Sequence, residues 1–305
     1  MSALAIVVQL AGGILLAPLL PGLIQHWKAG LQGRRGPTPF QPYRELRRLW
    51  GKSSVEVEGS GIVYRLAPSV TAASLALAVL LVPVAAGVPS LGVGRDLLAL
   101  LAVFALGRFA VAAAAWDVAN GFALMGASRD LMIAIFTDAT FVLAAAVAAL
   151  IAHTTNLSSM IGSTAGTSVW SNPALGLAAV AFALVVVAET GRQPVDNPDT
   201  HLELTMVHEG PLLEYAGRDL AFLQWSAAAR HWVVLVLAAQ IFLPHTTAVW
   251  GQLALLPVVL VLLCAALAVL ETFSAKMRVL LAPRLLAVGA AAALLGIVSW
   301  LVQVS

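Results

Sequence analysis

The sequence predicts an all-α integral membrane protein: a single membrane domain over 1–305, built as a bundle of about eight transmembrane helices. Three observations carry that prediction. Of the 305 residues 60% are hydrophobic, only 10% are charged, and the mean hydropathy is +0.92. Soluble domains carry roughly a quarter charged residues, so the apolar surface exceeds what a core can bury and lipid must cover the rest. The net charge of +2 does not point to nucleic acid, because membrane topology accounts for where the basic residues fall. The lone Cys264 cannot form an internal disulfide or supply an iron-sulfur ligand set.

Apolar runs succeed one another at 2–23, 67–88, 97–116, 131–152, 173–188, 232–244, 253–270 and 285–302. Each is continuous rather than alternating, so helices are expected and not barrel strands. The sixth is short and extends back through 227–229. No basic residue precedes the first run, the reverse of a secretory signal, so that helix is expected to stay. If the N-terminus lies outside, every Lys and Arg falls on the cytoplasmic side except Arg95, in an outer loop, and Arg108, inside the third run. The positive-inside rule then places both termini outside a plasma (inner) membrane. The outer loop 153–172 is uncharged, and its Asn156-Leu157-Ser158 sequon carries no weight. No internal repeat marks a transporter.

Two long cytoplasmic segments remain, 25–66 and 190–230. In the first, a basic turn at Gly33-Arg34-Arg35-Gly36-Pro37 precedes a helical pattern over 42–50. There Tyr43, Leu46, Leu49 and Trp50 share one face and Arg44, Arg47 and Arg48 the other, the pattern of a helix lying in the interface with its arginines on lipid phosphates. Arg34 and Arg35, between glycines, are placed to grip the carboxylates of a docked partner bidentately.

The second segment concentrates acids: Glu189, Asp196, Asp199, Glu203, Glu209, Glu214 and Asp219. Taken singly they have plain explanations. Thr200 to Glu203 fits a capping box, Glu209 before Pro211 a helix start, and Pro194 and Pro198 punctuate a loop. Glu189 is harder to dismiss, because it closes an apolar run where a carboxyl loses hydration and can take up a proton reversibly, with Arg192 and Arg129 to moderate it. Asp138 and Arg108, inside the fourth and third runs, are functional candidates by position. Glu271 beside Lys276 and Arg278 reads as an interfacial charge. His201 and His208 lack metal-site spacing, so no metal is expected. The candidate proton or ion relay is therefore Glu189, Glu203, Glu209, Glu214 and Asp138, with Arg108 and Arg129. The candidate docking residues are Arg34, Arg35, Arg192, Asp196 and Arg218.

At these residues the chain resembles the membrane subunit shared by respiratory complex I, its subunit 1, and the energy-converting, formate-hydrogenlyase type of nickel-iron hydrogenase. The motifs are Arg34-Arg35-Gly36-Pro37 followed by Tyr43-Arg44, Gly126-Ala127-Ser128-Arg129 entering the fourth run, Glu189-x-x-Arg192-x-Pro194-x-Asp196, and Glu214-Tyr215-x-Gly217. The stretch from Asp196 to Glu209 and the Gly126 motif look like the hydrogenase branch. Asp138 stands where the family generally has Glu, a shorter arm for the same proton. The resemblance implies a complex I subunit 1-like bundle that joins a peripheral electron-transfer arm, with large and small hydrogenase-like subunits, to antiporter-like membrane subunits. It implies no cofactor in this chain, with iron-sulfur clusters and a nickel-iron centre in partners. The leading expectation is a coupling subunit linking redox chemistry to proton or sodium movement. The alternatives are a quinone-reactive subunit of an NADH:quinone oxidoreductase and a passive anchor for the peripheral arm.

Overall fold

The computed structural model describes residues 9, 11–84, 96–164, 169, 171–196, 206–243 and 249–304, and these are almost wholly helical. Among them there is no strand, only an isolated bridge between Asp96 and Asn156. A helical stretch over 11–16 turns at 17–18 into α1 (Leu19–Leu31). Then come α2 (Gln41–Trp50), α3 (Ile62–Leu81), α4 (Leu97–Val118), α5 (Gly121–Ala152), α6 (Leu157–Thr164) and α7 (Pro173–Glu189). A 3-10 turn (Gly210–Leu212) leads to α8 (Gly217–Phe242), and α9 (Val249–Phe273) and α10 (Ala282–Val304) complete the chain. Helices α3, α4, α5, α8, α9 and α10 are long and apolar enough to cross a bilayer, and α7 is a shorter apolar helix. The protein is a multi-pass membrane protein; of the first apolar run, 2–23, the structure describes residue 9 and residues 11 onward. Leu262, Val288, Leu295 and Val302 lie exposed on α9 and α10, as a lipid-facing surface requires.

Polar starts set the helix boundaries. Asp96 caps α4 by accepting from the Leu98 amide, Asn120 caps α5 through Phe122, and Asn172 caps α7 through Ala174 and Leu175. Ala119, in the left-handed region at φ 56°, separates α4 from α5 in a two-residue reversal.

Several helices outrun the hydropathy of their sequences. Helix α5 begins at Gly121 rather than 131, and α8 at Gly217 rather than 232. Helix α1 continues to Leu31. The residues that cut these runs short in the sequence, Arg129 and Asp130, Arg230 and Lys28, are polar positions on continuous helices whose partners lie inside the protein. The 25–66 and 190–230 segments are correspondingly shorter as loops, and their parts at 197–205 lie outside the described residues, as do the predicted boundaries at 88 and 244.

Helix α7 occupies the centre. Phe104 of α4, Phe141 of α5, Phe182 of α7 and Phe242 of α8 form a ladder with centroids 6.3, 5.3 and 5.0 Å apart. The backbone after α7 stays inside the bundle, Glu189, Thr190, Arg192, Val195 and Asp196 all being buried. Non-helical chain at this depth is tolerated only where protein satisfies it. The amides of Arg192, Val195 and Asp196 bond to carbonyls at 187 and 192, and the Met277 amide donates to the Pro194 carbonyl at 2.9 Å.

On the amphipathic α2 Leu49 is buried, Tyr43 and Leu46 are half-buried and Arg44, Arg47 and Arg48 are exposed; Trp50, expected on the apolar face, is exposed as well and stands edge-on to Phe222 of α8 at 5.2 Å. Two motif glycines are explained by contact. A Cβ on Gly126 would sit 2.7 Å from the Cα of Gly210, so α5 and the 3-10 turn touch backbone to backbone. Gly217 has φ +57°, and a Cβ there would collide with the Ser53 carbonyl oxygen.

Candidate functional site

The fold draws scattered charges into three clusters. In the first, Arg108 at the middle of α4 donates from Nη1 to Asp138 Oδ2 of α5 at 2.7 Å and from Nη2 to Glu189 Oε1, at the end of α7, at 2.6 Å. Arg230 of α8 reaches the other oxygen, Oε2, at 3.4 Å, and its guanidinium lies 5.7 Å from the Phe104 ring centre. The four groups form an alternating chain, Asp138, Arg108, Glu189, Arg230, across four helices. The Glu189 side chain has no exposed surface, whereas that of Asp138 is 37% exposed. Arg230 is about 20 Å along α8 from Gly217 at 1.5 Å per residue.

The second cluster is built on Glu271, near the end of α9. Lys28 Nζ of α1 donates to Oε1 at 2.7 Å and Arg192 Nη1 to Oε2 at 3.1 Å, all three side chains being buried. The expectation of an interfacial Glu271 is corrected: its carboxylate is inside the protein because α1 and α9 pair there. Lys28, expected in a cytoplasmic loop, is likewise on a helix and inward. Arg192, expected at a docking surface, is buried with its Nη1 on this internal carboxylate.

The third cluster sits in the loops. Asp196 takes Lys276 Nζ on Oδ1 at 3.1 Å, and its Oδ2 accepts from the His208 amide at 3.2 Å and meets His208 Nδ1 at 3.1 Å. His208 Nε2 lies 3.6 Å from Asp130 of α5. Asp196 is thus buried and engaged within the chain rather than presented for docking. Burial alone lowers the His208 pKa, but the hydrogen bond to Asp196 and the negative charge of Asp130 outweigh it, leaving the ring more basic than an ordinary histidine. Its two ring nitrogens face the two carboxylates, Nδ1 towards Asp196 and Nε2 towards Asp130.

The other expected residues fall around these clusters. Arg129 donates to the Met206 carbonyl at 3.2 Å, tying α5 to the returning loop. Glu209 stands at the start of the 3-10 turn, where its carbonyl accepts from the Leu212 amide at 3.1 Å. Glu214 accepts from the Asn120 side chain, and its carbonyl accepts from the Tyr64 hydroxyl at 2.7 Å. Tyr215 stacks on Tyr64 with centroids 4.4 Å apart and donates to the Tyr64 carbonyl, so the Glu214-Tyr215 motif clamps the loop to α3. Burial and the neighbouring Tyr64 push the Tyr215 phenol up, which keeps it neutral and a donor. Arg34, Arg35 and Arg218 are exposed. Glu203 lies outside the described residues.

Glu189, Asp138 and Arg108 are therefore brought together; Glu209, Glu214 and Arg129 make the separate contacts just described. The sequence points to Arg129 and Arg192 as the moderators of Glu189, but Arg108 and Arg230 fill that place. Arg230, Glu271 and Lys28 escape sequence reasoning as interior groups, because a charge ending an apolar window looks like a loop. A helix register continued through Arg230 is the signal that could have found it.

Residues 3–301 match the family model described as NADH dehydrogenase. The chain belongs to the NADH dehydrogenase subunit 1 family. Within that family it is 33% identical to formate hydrogenlyase subunit 4 of Escherichia coli, over 93% of this chain and 94% of that one. It is also 33% identical to hydrogenase-4 component C of the same organism, over 94% and 92%. An NADH-quinone oxidoreductase subunit of Rickettsia prowazekii is 25% identical over 70% of this chain and 64% of that one. The fold of this family member matches a chain of the archaeal membrane-bound sulfane sulfur reductase, a respiratory membrane complex, with a TM-score of 0.83 over 98% of this chain and 99% of that one, at 23% identity.

Proposed function

We propose that this chain is the coupling subunit of a hydrogenase-type membrane complex of the formate hydrogenlyase kind, linking electron transfer in a peripheral arm to proton or sodium movement in the plasma membrane. The observation that carries the reading is the alternating chain Asp138, Arg108, Glu189, Arg230 inside the helices. Charges at such depth are expensive, and an anchor that only docks other subunits has no use for them. Arg108 is shared between two carboxylates, so neutralising one frees it to strengthen its contact with the other. That gives the network two arrangements for a signal to bias.

Asp138 is the outward end of the chain. Its side chain is 37% exposed on a membrane-spanning helix, where lipid would solvate it poorly, and a second membrane subunit of antiporter type would complete it. The exposed Arg34, Arg35 and Arg218 are the surface offered to the peripheral large and small subunits, which hold the iron-sulfur clusters and the nickel-iron centre. With the termini outside, reporter fusions after Gln303 should read as external and fusions at Ser53 as cytoplasmic, and the opposite pattern would invert the assignment.

The test is ions moved per electron in vesicles carrying the assembled complex. Asp138→Asn and Glu189→Gln keep shape and remove the titratable group, and the ratio should fall in both. An unchanged ratio would leave the chain an anchor. Asp138→Asn is the more informative, because its partly exposed side chain is the less costly to neutralise.

A quinone-reactive role keeps one observation in its favour, an apolar cavity of about 510 Å³ between α2, α3 and α8, lined by Leu46, Trp50, Ala72, Ala76, Phe222 and Trp225 among others. Quinone co-purifying with the complex and required for its turnover would select that reading.

A further inference from the structure

While Lys28 of α1 is buried on Glu271, its neighbours Trp27, Gly30 and Leu31 line an open groove of about 740 Å³ between α1 and α9. Ala265 and Val269 of α9 form the other wall. The polar lining comes from His26 and, just past the end of α1, from Arg34 and Arg35, and no carboxylate lines the groove. Gly30 leaves it wide, since a Cβ there would meet nothing within 4 Å.

The arginines stand on a built turn. The Arg34 amide donates to the Ala29 carbonyl at 2.9 Å, and His26 Nδ1 lies 2.9 Å from the Pro37 carbonyl, which it can only donate to. Gly36 lies so close to α1 that a Cβ on it would collide with Ala29. The turn is thus fixed against α1 from both sides, and it presents two exposed guanidinium groups to the groove. Arg34 spends one N–H on Gln32 Oε1 and keeps the rest of its five donors.

On α9 Val258, Leu262, Ala265 and Val269 recur at helical spacing, so a single apolar stripe runs from the groove along the membrane-spanning helix. Val258, Leu262 and Val269 are exposed. The rise from Val258 to Val269 is about 16 Å, half of a hydrocarbon core about 30 Å thick. That is the depth of one leaflet. An apolar stripe of leaflet length that ends at two cations matches an amphipathic anion in both parts, and basic pockets between membrane helices on the cytoplasmic side are where anionic headgroups bind.

We propose that the groove between α1 and α9 is a binding site for one anionic phospholipid, its acyl chain against Leu31, Val269 and Leu262 and its phosphate on Arg34 and Arg35. The lipid lies at the foot of the surface offered to the peripheral arm. Two guanidinium groups carry enough donors to hold the phosphate and a carboxylate of the arm together. Placing the site in the cytoplasmic leaflet rests on the topology reading above; the groove and its charge do not, and neither depends on the coupling role.

The test uses the assembled complex in phosphatidylcholine vesicles containing a phosphatidylglycerol with a photoreactive diazirine in its acyl chain. Adducts are expected on peptides covering 27–31 and 258–269, and unlabelled phosphatidylglycerol should suppress them several-fold more than added phosphatidylcholine does. Gly30→Leu, whose side chain enters the open space and favours the helix, should lower that labelling several-fold, as should Arg34→Gln with Arg35→Gln. Equal competition by the two lipids would make the groove ordinary bilayer contact and overturn the site. So would labelling unchanged in Gly30→Leu, or a cryo-EM map of the wild-type complex in which another subunit fills the groove. Should a variant fail to assemble, the competition and the map in the wild type still decide.

Discussion

Removing the Glu271 carboxylate is the perturbation whose cost the structure defines best. Two cations, Lys28 at 2.7 Å and Arg192 at 3.1 Å, converge on its two oxygens in a fully buried site. At an effective dielectric of about 20 the gross attractions are roughly 6 and 5 kcal/mol, and desolvation of three charges offsets most of that. The net worth of the cluster is small, but breaking it is not. Glu271→Gln removes the carboxylate on which two buried cations converge, and breaking a buried ion pair by removing one partner costs about 3–5 kcal/mol. For a chain of this size that is a fall in Tm on the order of 10 °C. Lys28→Met should cost less, because Glu271 keeps Arg192. The internal standard is Glu56, whose pair with Arg65 at 3.2 Å is more than half exposed on both sides. Glu56→Gln should change stability by about 0–1 kcal/mol. The assay is thermal unfolding of the purified complex in detergent, the variants measured side by side. If Glu271→Gln and Glu56→Gln prove indistinguishable, the cluster does not hold α1, α9 and the loop after α7 together, and the reasoning fails.

His208 gives a pH prediction. Its pKa is raised above the ordinary 6.5 by Asp196 and Asp130. The stability it contributes is therefore fully present below about 6.5 and is lost as pH rises through the higher folded-state value. Hydrogen exchange at Met206 and Val207 should speed up across that interval in the wild type and show no such step in His208→Gln. A step of equal size in the variant would assign the effect elsewhere. Charge reversal at the exposed Arg35 should reduce co-purification of the peripheral subunits, since an interface that loses an arginine leaves the facing carboxylate unpaired. Normal assembly with full turnover would make Arg35 a lipid contact.

The amino-acid sequence by itself determined that the chain is helical and membrane-bound, because apolar runs of bilayer length have no other stable form in lipid. It also placed the apolar run 173–188, within one residue of the observed helix Pro173–Glu189. Helical spacing picked out Leu49 as the inward residue of α2 and its arginines as outward, but not the exposure of Trp50. Asp138, Arg108 and Glu189 stood out singly, since each is a charge in or beside an apolar run. What the sequence did not contain was their company. Arg108 and Glu189 lie 81 positions apart, and Lys28 and Glu271 243 apart. Hydropathy windows treat an internal arginine such as Arg230 as the end of a span, because they score each residue against lipid. Only the packing of α4, α5, α7 and α8 around one another decided that Arg230 faces a carboxylate instead. The depth of the chain at 190–196 was decided the same way: a loop with Gly, Pro and charges belongs on the surface unless other helices supply its hydrogen bonds, and here α9, the segment after it and the loop's own turns do.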